Sequence, residues 1–532
     1  MKKNIYFSAL IALGLFAVGC AKDEGNYNYN KLNTNFVDTA AFLPRYSFKQ
    51  NEVVNITPSN VTGVNNANLE YEWRLVKSMY TPDPTTGTYI DKQLATTKNL
   101  SYKFVEPSGD YALVLYVKDK TNGGITQMIN KNIKILPFAM PGWMVLHSNG
   151  NSSDVSIIVN EKISNADISK PEKYVVTTGT DSIENNVYSK TNGSKLQDAA
   201  GIFSAPQNCV GIFTKTNIGG YRLSSADLRI KVNYSDMFMN RIPTSDVQFQ
   251  TYDRNGVNEL LINKGDVYTI PQPVPGVWNQ FGIKCFGKGS DDKELDFVAA
   301  PYVATNTNSY LGAFYDTKNK RFLYVNTSRE IKEFLAPVTP AVFDARNVGK
   351  EMVYAENGYE IATGVGYRTW YSIMQTPGNP NTRELFGLKL DRSDDGARAV
   401  TRIDLSTATE MNNAKYFAFG NKSTLMFYAT DSKIYQYPYA TTGTKVSTLK
   451  YDILANYPGN VITGIKLFKI PNQTAAHASD GKLLYIALYN ATTQAGTILQ
   501  IDVDPATGTF GTTVKAYPGF GKIVSMDYKS LN

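Results

Sequence analysis

The chain offers few side chains of the kinds that break bonds, and their spacing suits few chemistries. There are two histidines, His147 and His477, and three cysteines, Cys20, Cys209 and Cys285. A zinc site needs several Cys, His or carboxylate ligands converging on one point, and no Cys or His cluster stands beside either histidine. Neither histidine has an evident serine or cysteine partner, so a hydrolase triad finds no support. The nucleophile elbow, the zinc-protease helix, the phosphate-cradling Walker loop and the dinucleotide fingerprint are all missing from the sequence. The 47 acidic residues could hold a glycosidase pair, but separation along a chain says nothing about distance in space. Asp391-Arg392-Ser393-Asp394-Asp395-Gly396 opens like a calcium loop. The closing ligand should stand near position 402, which is Arg402, so a polar hairpin turn is the better reading. Asp253-Arg254-Asn255-Gly256 reads likewise as a turn, because Asn-Gly favours positive φ. No metal, no cofactor and no enzymatic activity are expected.

One thiol does carry a clear chemistry. Lys2 and Lys3 open the chain, Ile5 to Val18 is apolar apart from Ser8, and Ala17-Val18-Gly19-Cys20 follows. The apolar run has the length of a signal-peptide core and falls short of the roughly 20 residues that span a bilayer. Small residues ahead of a cysteine suit a lipoprotein signal peptidase, so Cys20 is expected to carry diacylglycerol. Acyl chains contribute about 0.8 kcal/mol per buried methylene, so several on one residue would hold the chain to a membrane. Lys22-Asp23-Glu24 then resembles the surface-export signal of Bacteroidetes lipoproteins, which implies display on the outside of the outer membrane.

The remaining candidates are aromatic. Rings bind sugar faces or peptide side chains by stacking and apolar contact without needing charge. Trp278 lies in the stiff loop Pro273-Val274-Pro275-Gly276-Val277-Trp278-Asn279, where ordering on binding costs little. Trp370 and Tyr371 belong to the strand read at Tyr367–Met374. Neighbours on a strand face opposite ways, so at most one of the two is expected in the core. Tyr435, Tyr437 and Tyr439 share one face and read as a packing stripe.

These groups must be held by strands. The chain has 35 tyrosines and 25 phenylalanines with only 19% charged residues, and aromatic and β-branched runs alternate with polar turns. An all-β protein is expected. Removing Lys2 and Lys3 lowers Lys plus Arg from 54 to 52 against 47 acids, a mature net charge of about +5 with no basic run. Nucleic acid is therefore not an expected partner. Cys209 and Cys285 could pair or remain as buried thiols; the sequence leaves both open.

The organisation reads as a signal peptide over 1–19, a lipidated tether over 20–36, an Ig-type sandwich over 37–136, a linker over 137–141 and a large β domain over 142–532. In the sandwich, Leu69, Tyr71, Trp73 and Leu75 alternate with Glu70, Glu72 and Arg74, the pattern of a half-buried strand, and Trp73 is the expected core tryptophan. Beyond the linker, short strands recur. Gly142–Leu146 matches Asp266–Ile270 in character, and Arg321–Val325 matches Lys482–Ile486. Strand pairs are read at Leu425–Ala429 with Lys433–Tyr437 and at Leu483–Leu488 with Gly496–Val503, and a turn at Asp504–Gly508. Units of roughly 40 to 55 residues point to a β-propeller of seven or eight blades, with a second sandwich or a β-helix as alternatives. If it closes by strand exchange, Ile523–Tyr528 should share a sheet with Trp143–His147, which would remove sheet edges.

Tyr71-Glu72-Trp73, and Gly109-Asp110-Tyr111 leading into Leu113, Leu115, Val117 and Asp119, resemble the PKD-type Ig-like domain. Arg74-Leu75-Val76 stands where that domain usually has a Gly-Asp-Gly turn. Together with Cys20 and Gly25-Asn26-Tyr27-Asn28-Tyr29, this variant resembles the PKD-like family lipoproteins of Bacteroidetes. The resemblance is good over about 17–136 and general beyond. It implies an accessory role in nutrient capture beside a TonB-dependent outer-membrane transporter and its lid lipoprotein, with a glycan or oligopeptide as ligand, and it implies no catalytic residue. A surface glycosidase or lyase on a propeller scaffold, and a purely structural subunit of the transporter, are the rival expectations.

Overall fold

The computed structural model describes residues 34–529 except 63, 78–90, 107–108, 122, 137–138, 140, 165–180, 206–208, 256–257, 272–278, 290–291, 306–309, 338–341, 360–368, 391–397, 441–442 and 471–476. Cys20, Lys22, Asp23, Glu24, Trp278 and the calcium-like string at 391–396 lie outside the described residues. The chain forms two compact units, Met1–Pro137 and Phe138–Asn532.

In the first unit a five-stranded sheet runs Arg45–Lys49, Thr126–Leu136, Gly109–Asp119, Leu69–Val76, Asp91–Ala95 in spatial order. Arg45–Lys49 pairs in parallel with Thr126–Leu136, and the other pairs of this sheet are antiparallel. A two-stranded sheet, Val53–Ile56 with Leu100–Lys103, packs against it. One core joins them, with Phe48, Ile56, Leu100 and Phe104 meeting Trp73, Leu113, Leu115 and Ile133. Along Leu69–Val76, Leu69, Trp73 and Leu75 are buried while the residues between them are not. Trp73 is 1% exposed, and its indole N–H donates to the carbonyls of Thr97 (3.1 Å) and Lys98 (3.2 Å). It is the core tryptophan expected.

The second unit is a β-propeller. Among the described residues it contains seven consecutive antiparallel sheets. The first blade is Lys522–Lys529, Gly142–Asn149, Ser152–Val159 and Ser182–Glu184. Each later blade is a meander that opens on its innermost strand: Ala199–Ala205, Phe249–Asn255, Ala299–Ala304, Glu351–Gly358, Tyr416–Phe419 and Asn460–Leu467. Each innermost strand lies against that of the next blade, and Asn460–Leu467 lies against Lys522–Lys529, so the ring closes. The closure is the strand exchange expected from sequence: Ile523 pairs with His147 and Tyr528 with Trp143. The strand pairs across 430–432 and 491–494 and the turn at Asp504–Gly508 also form as read.

Seven apolar clusters fill the spaces between successive blades. Neighbouring residues of one strand enter different clusters. Trp143 and Val145 pack toward the seventh blade, Met144 and Leu146 toward the second. This corrects the expectation for Trp370 and Tyr371. They do face opposite ways, but a propeller blade is covered on both faces, so both are buried, 1% and 4% exposed. Trp370 meets Phe322 of the fourth blade and Tyr371 meets Phe419 and Tyr439 of the sixth. Tyr435, Tyr437 and Tyr439 form the packing stripe expected.

The matched segments are corrected as well. Gly142–Asn149 is a second strand and Asp266–Thr269 a third. Arg321–Val325 is a third strand and Leu483–Asn490 a second. All are apolar runs buried between blades, and that shared burial, not shared position, made them look alike. Ala139, inside the expected linker, is buried in the propeller's packing, its N–H donating to Ala226 O (3.0 Å).

Candidate functional site

The innermost strands cannot be covered on every side, because they line the channel on which the blades converge. Their burial is accordingly mixed, as along Glu351–Gly358, whereas second strands such as Thr369–Thr376 and Leu425–Ala429 are buried almost throughout. Polar side chains collect where the innermost strands end. Ser204, Asp253, Arg254, Glu356, Lys466 and Asp527 each stand in the last half of their strands, and with Lys469 they line a cavity of about 240 Å³. Phe203, Tyr302 and Trp143 add aromatic surface to the same cavity.

The hydrogen bonds run from blade to blade around this hub. Lys466 Nζ donates to Asp527 Oδ1 (2.8 Å) and to Met526 O (3.0 Å), while Asp527 Oδ2 accepts from the N–H of Ser204 (2.7 Å). Lys469 Nζ meets Glu356 Oε1 at 2.5 Å and donates to the carbonyls of Asn357 (3.0 Å) and Phe419 (3.1 Å). Glu356 Oε2 accepts from Phe419 N–H (2.8 Å). Asp253 Oδ2 accepts from both the N–H (3.1 Å) and the hydroxyl (2.9 Å) of Thr305. Arg254 turns the other way, donating through Nε to Ser204 O (3.0 Å) and through Nη2 to Ser204 Oγ (3.0 Å).

The enclosure shifts the charges. Loss of hydration pushes the Asp253 carboxyl up, against the downward pull of the Thr305 hydrogen bonds. The same loss pulls the Lys469 ammonium down, opposed by the Glu356 carboxylate. The site is therefore a low-dielectric chamber whose charged groups are fixed in position, which suits selective binding of a small polar ligand.

Sequence reasoning missed this constellation. It took Asp253 and Arg254 for part of a turn, but the strand runs through Asn255, which pairs with Asn258. The Asn-Gly signal was read two residues too widely. The available signal was a run of charged residues closing an otherwise apolar-aromatic strand, repeated at Glu356, Lys466 and Asp527.

The two histidines are structural. His147 does have a serine partner, Ser156 Oγ at 2.9 Å across its hairpin, contrary to expectation. Gly521 N–H donates to His147 Nδ1 (3.3 Å), so the ring carries its proton on Nε2 and donates to the serine, and burial holds the imidazole below its usual pKa. His147 and Ser156 are both buried, and neither lines the hub. His477 faces Ile163 O (3.2 Å) through Nε2 and accepts from Ser479 N–H (3.1 Å) at Nδ1. Cys209 and Cys285 are buried in different inter-blade clusters and are not joined by a disulfide. No group of three or more potential metal ligands occurs among the described residues.

Residues 20–199 match the model of the PKD-like family. The match bears out the resemblance carried by Tyr71-Glu72-Trp73 and Gly109-Asp110-Tyr111, and it extends through the start of the propeller. No curated protein matches the chain. Among solved structures, a quinonprotein alcohol dehydrogenase-like protein from Bacteroides thetaiotaomicron is 12% identical, with 93% of this chain and 99% of that chain covered and a TM-score of 0.43. The WD40 domain of Neurospora crassa Pan2 is 10% identical over 60% of this chain and 81% of that one, with a TM-score of 0.35. SGBP-B of the Bacteroides ovatus mixed-linkage glucan utilization locus, solved with a mixed-linkage heptasaccharide, is 10% identical over 61% and 72%, with a TM-score of 0.14.

Proposed function

We propose that this chain is a surface-displayed lipoprotein of the outer membrane, anchored through Cys20, whose propeller captures a small nutrient, glycan- or peptide-derived, for a TonB-dependent transporter and its lid lipoprotein. The observation that carries the capture role is the hub cavity, where side chains from the innermost strands of six blades converge around about 240 Å³. Such a chamber has the shape and lining of a binding site: a rigid wall, aromatic surface and a few fixed polar groups. The PKD-like unit would act as the stalk and Lys22-Asp23-Glu24 as the export signal. The activity proposed is binding without turnover. Both Glu356 and Asp527 are committed to lysines, so neither is poised as a general acid or base.

The test is isolation of the native outer-membrane complex, with identification of what co-purifies. The transporter and a bound saccharide or peptide are expected. A chain that comes out alone and empty, and that takes no label from a clickable palmitate analogue in cells, would overturn the reading.

A further inference from the structure

The hydrogen-bonding capacity of the hub is unequally spent, and the inequality names a ligand class. The cavity presents three cations, Arg254, Lys466 and Lys469. Lys466 is neutralised by Asp527 and Lys469 by Glu356. All four oxygens of those two carboxylates are occupied, by the lysines and by the N–H groups of Ser204 and Phe419. Each carboxylate is thus balanced by its own lysine and offers no net negative charge to a cationic ligand.

Arg254 differs. Its partners are the carbonyl and hydroxyl of Ser204, both neutral, and no carboxylate lies within ion-pair distance among the described residues. Ser204 takes the Nε and Nη2 side of the guanidinium. A guanidinium has five N–H donors in a planar fork, so the Nη1–Nη2 edge keeps donors for a second planar acceptor. Trp143 also lines the cavity, with its ring packed between blades against Tyr485. Glu259, opposite Arg254 in the next strand, is bound by Arg222 and Tyr252, and burial pushes the carboxyl of Asp253, the neighbour of Arg254 in its own strand, up.

We infer that the hub holds a small ligand through a carboxylate received on the free edge of Arg254. This rests on the capture reading above and deepens it. A carboxylate on a compact, oxygen-rich body is the shared chemistry, and an acidic sugar residue and a peptide C-terminus both supply it. Each source has an uncharged counterpart of almost the same shape, which makes the charge itself the variable.

The experiment is calorimetric titration of the full chain with methyl glucuronide against methyl glucoside, and with dialanine against dialanine amide. At least one acid is expected to bind about ten- to a hundredfold more tightly than its neutral partner, the range for a charge-assisted hydrogen-bonded pair. The pair that shows the gap identifies the source. Arg254→Gln should close the gap, and Arg254→Lys, which keeps the charge but loses the fork, should restore only part of it. Equal affinity for acid and neutral partners in the unaltered protein would overturn the inference while leaving capture intact, and needs no variant to fold. So would acid binding undiminished in a folded Arg254→Gln protein. Binding of none of the four, with no ligand on the native complex, would remove both.

Discussion

The two units bury their tryptophans by different rules. In the sandwich the strand Leu69–Val76 meets the core with one face, so Trp73 is buried while Glu70 of the same strand is exposed. In the propeller each blade is roofed on both sides, so Trp370 and its immediate neighbour Tyr371 are both buried, in different clusters. Leu69–Val76 has a solvent side; the second strand Thr369–Thr376 is buried on both sides over most of its length. The sharpest way to break this contrast is truncation. Trp73→Ala and Trp370→Ala should each cost about 3–5 kcal/mol, the range for removing a large buried ring. Tyr371→Ala should cost as much as Trp370→Ala, whereas Glu70→Ala should stay within about 0.5 kcal/mol. Chemical denaturation of the four variants decides it. A mild Tyr371→Ala would mean that blade faces are not equally filled.

The same contrast sets how much of the molecule could be read from sequence. Trp73 and its strand were legible because one-sided burial writes an alternation into the chain. The propeller was legible as a class, and its closing strand was located, because terminal runs such as Ile523–Tyr528 had no neighbour in sequence to pair with. Blade position was not legible. A strand buried on both faces is a plain apolar run, and Asp266–Thr269 looks like Gly142–Asn149 although one is third and the other second in its blade. The hub was the least legible part. Ser204, Arg254, Glu356, Lys466 and Asp527 meet only because the ring closes, and no spacing along the chain encodes that. Locally, the Asn255-Gly256 turn signal outweighed the two charged residues before it.

Lysines sharpen the comparison at the next level of effect. Lys529, on the closing strand, is 1% exposed; its Nζ donates to Ala139 O at 2.7 Å. Burial pulls its ammonium down to about 7, with Glu184 and Asp227 opposing, from an unfolded value of about 10.4. Its folded pKa is depressed, so the unfolded chain binds the extra proton. The stability it permits is complete above about pH 10 and declines as pH falls toward 7. Lys92 in the sandwich is half-exposed, and hydrogen bonds to Tyr102 and Glu106 raise its pKa. Its contribution is present below about pH 10 and is lost as pH rises through the folded value. Lys529→Met should therefore stabilise the propeller by about 1–4 kcal/mol, with the gain larger at pH 7 than at pH 10. Lys92→Met should cost less than about 1 kcal/mol, and the loss should fade at high pH. Urea melts at the two pH values read both signs.

The smallest effects concern turns. Gly123 in the sandwich and Gly508 in the last blade both hold positive φ, +66° and +69°, where a side chain is strained. Their surroundings differ. A Cβ on Gly123 would meet nothing within 4 Å, whereas one on Gly508 would come within 2.7 Å of the Gln436 side chain. Gln436 belongs to the sixth blade and donates to Thr507 O at 2.8 Å, so the turn is tied to its neighbouring blade. Gly123→Ala should cost only the backbone term of about 1 kcal/mol. Gly508→Ala adds displacement of Gln436 and loss of its hydrogen bond, about 1 kcal/mol more. Measured against Gln436→Ala alone, Gly508→Ala should cost only the backbone term, because neither the clash nor the bond is then left to lose. An excess that survived the double substitution would place the strain in the turn itself, and the propeller's turns would then be as independent of neighbouring blades as a sandwich loop is of its core.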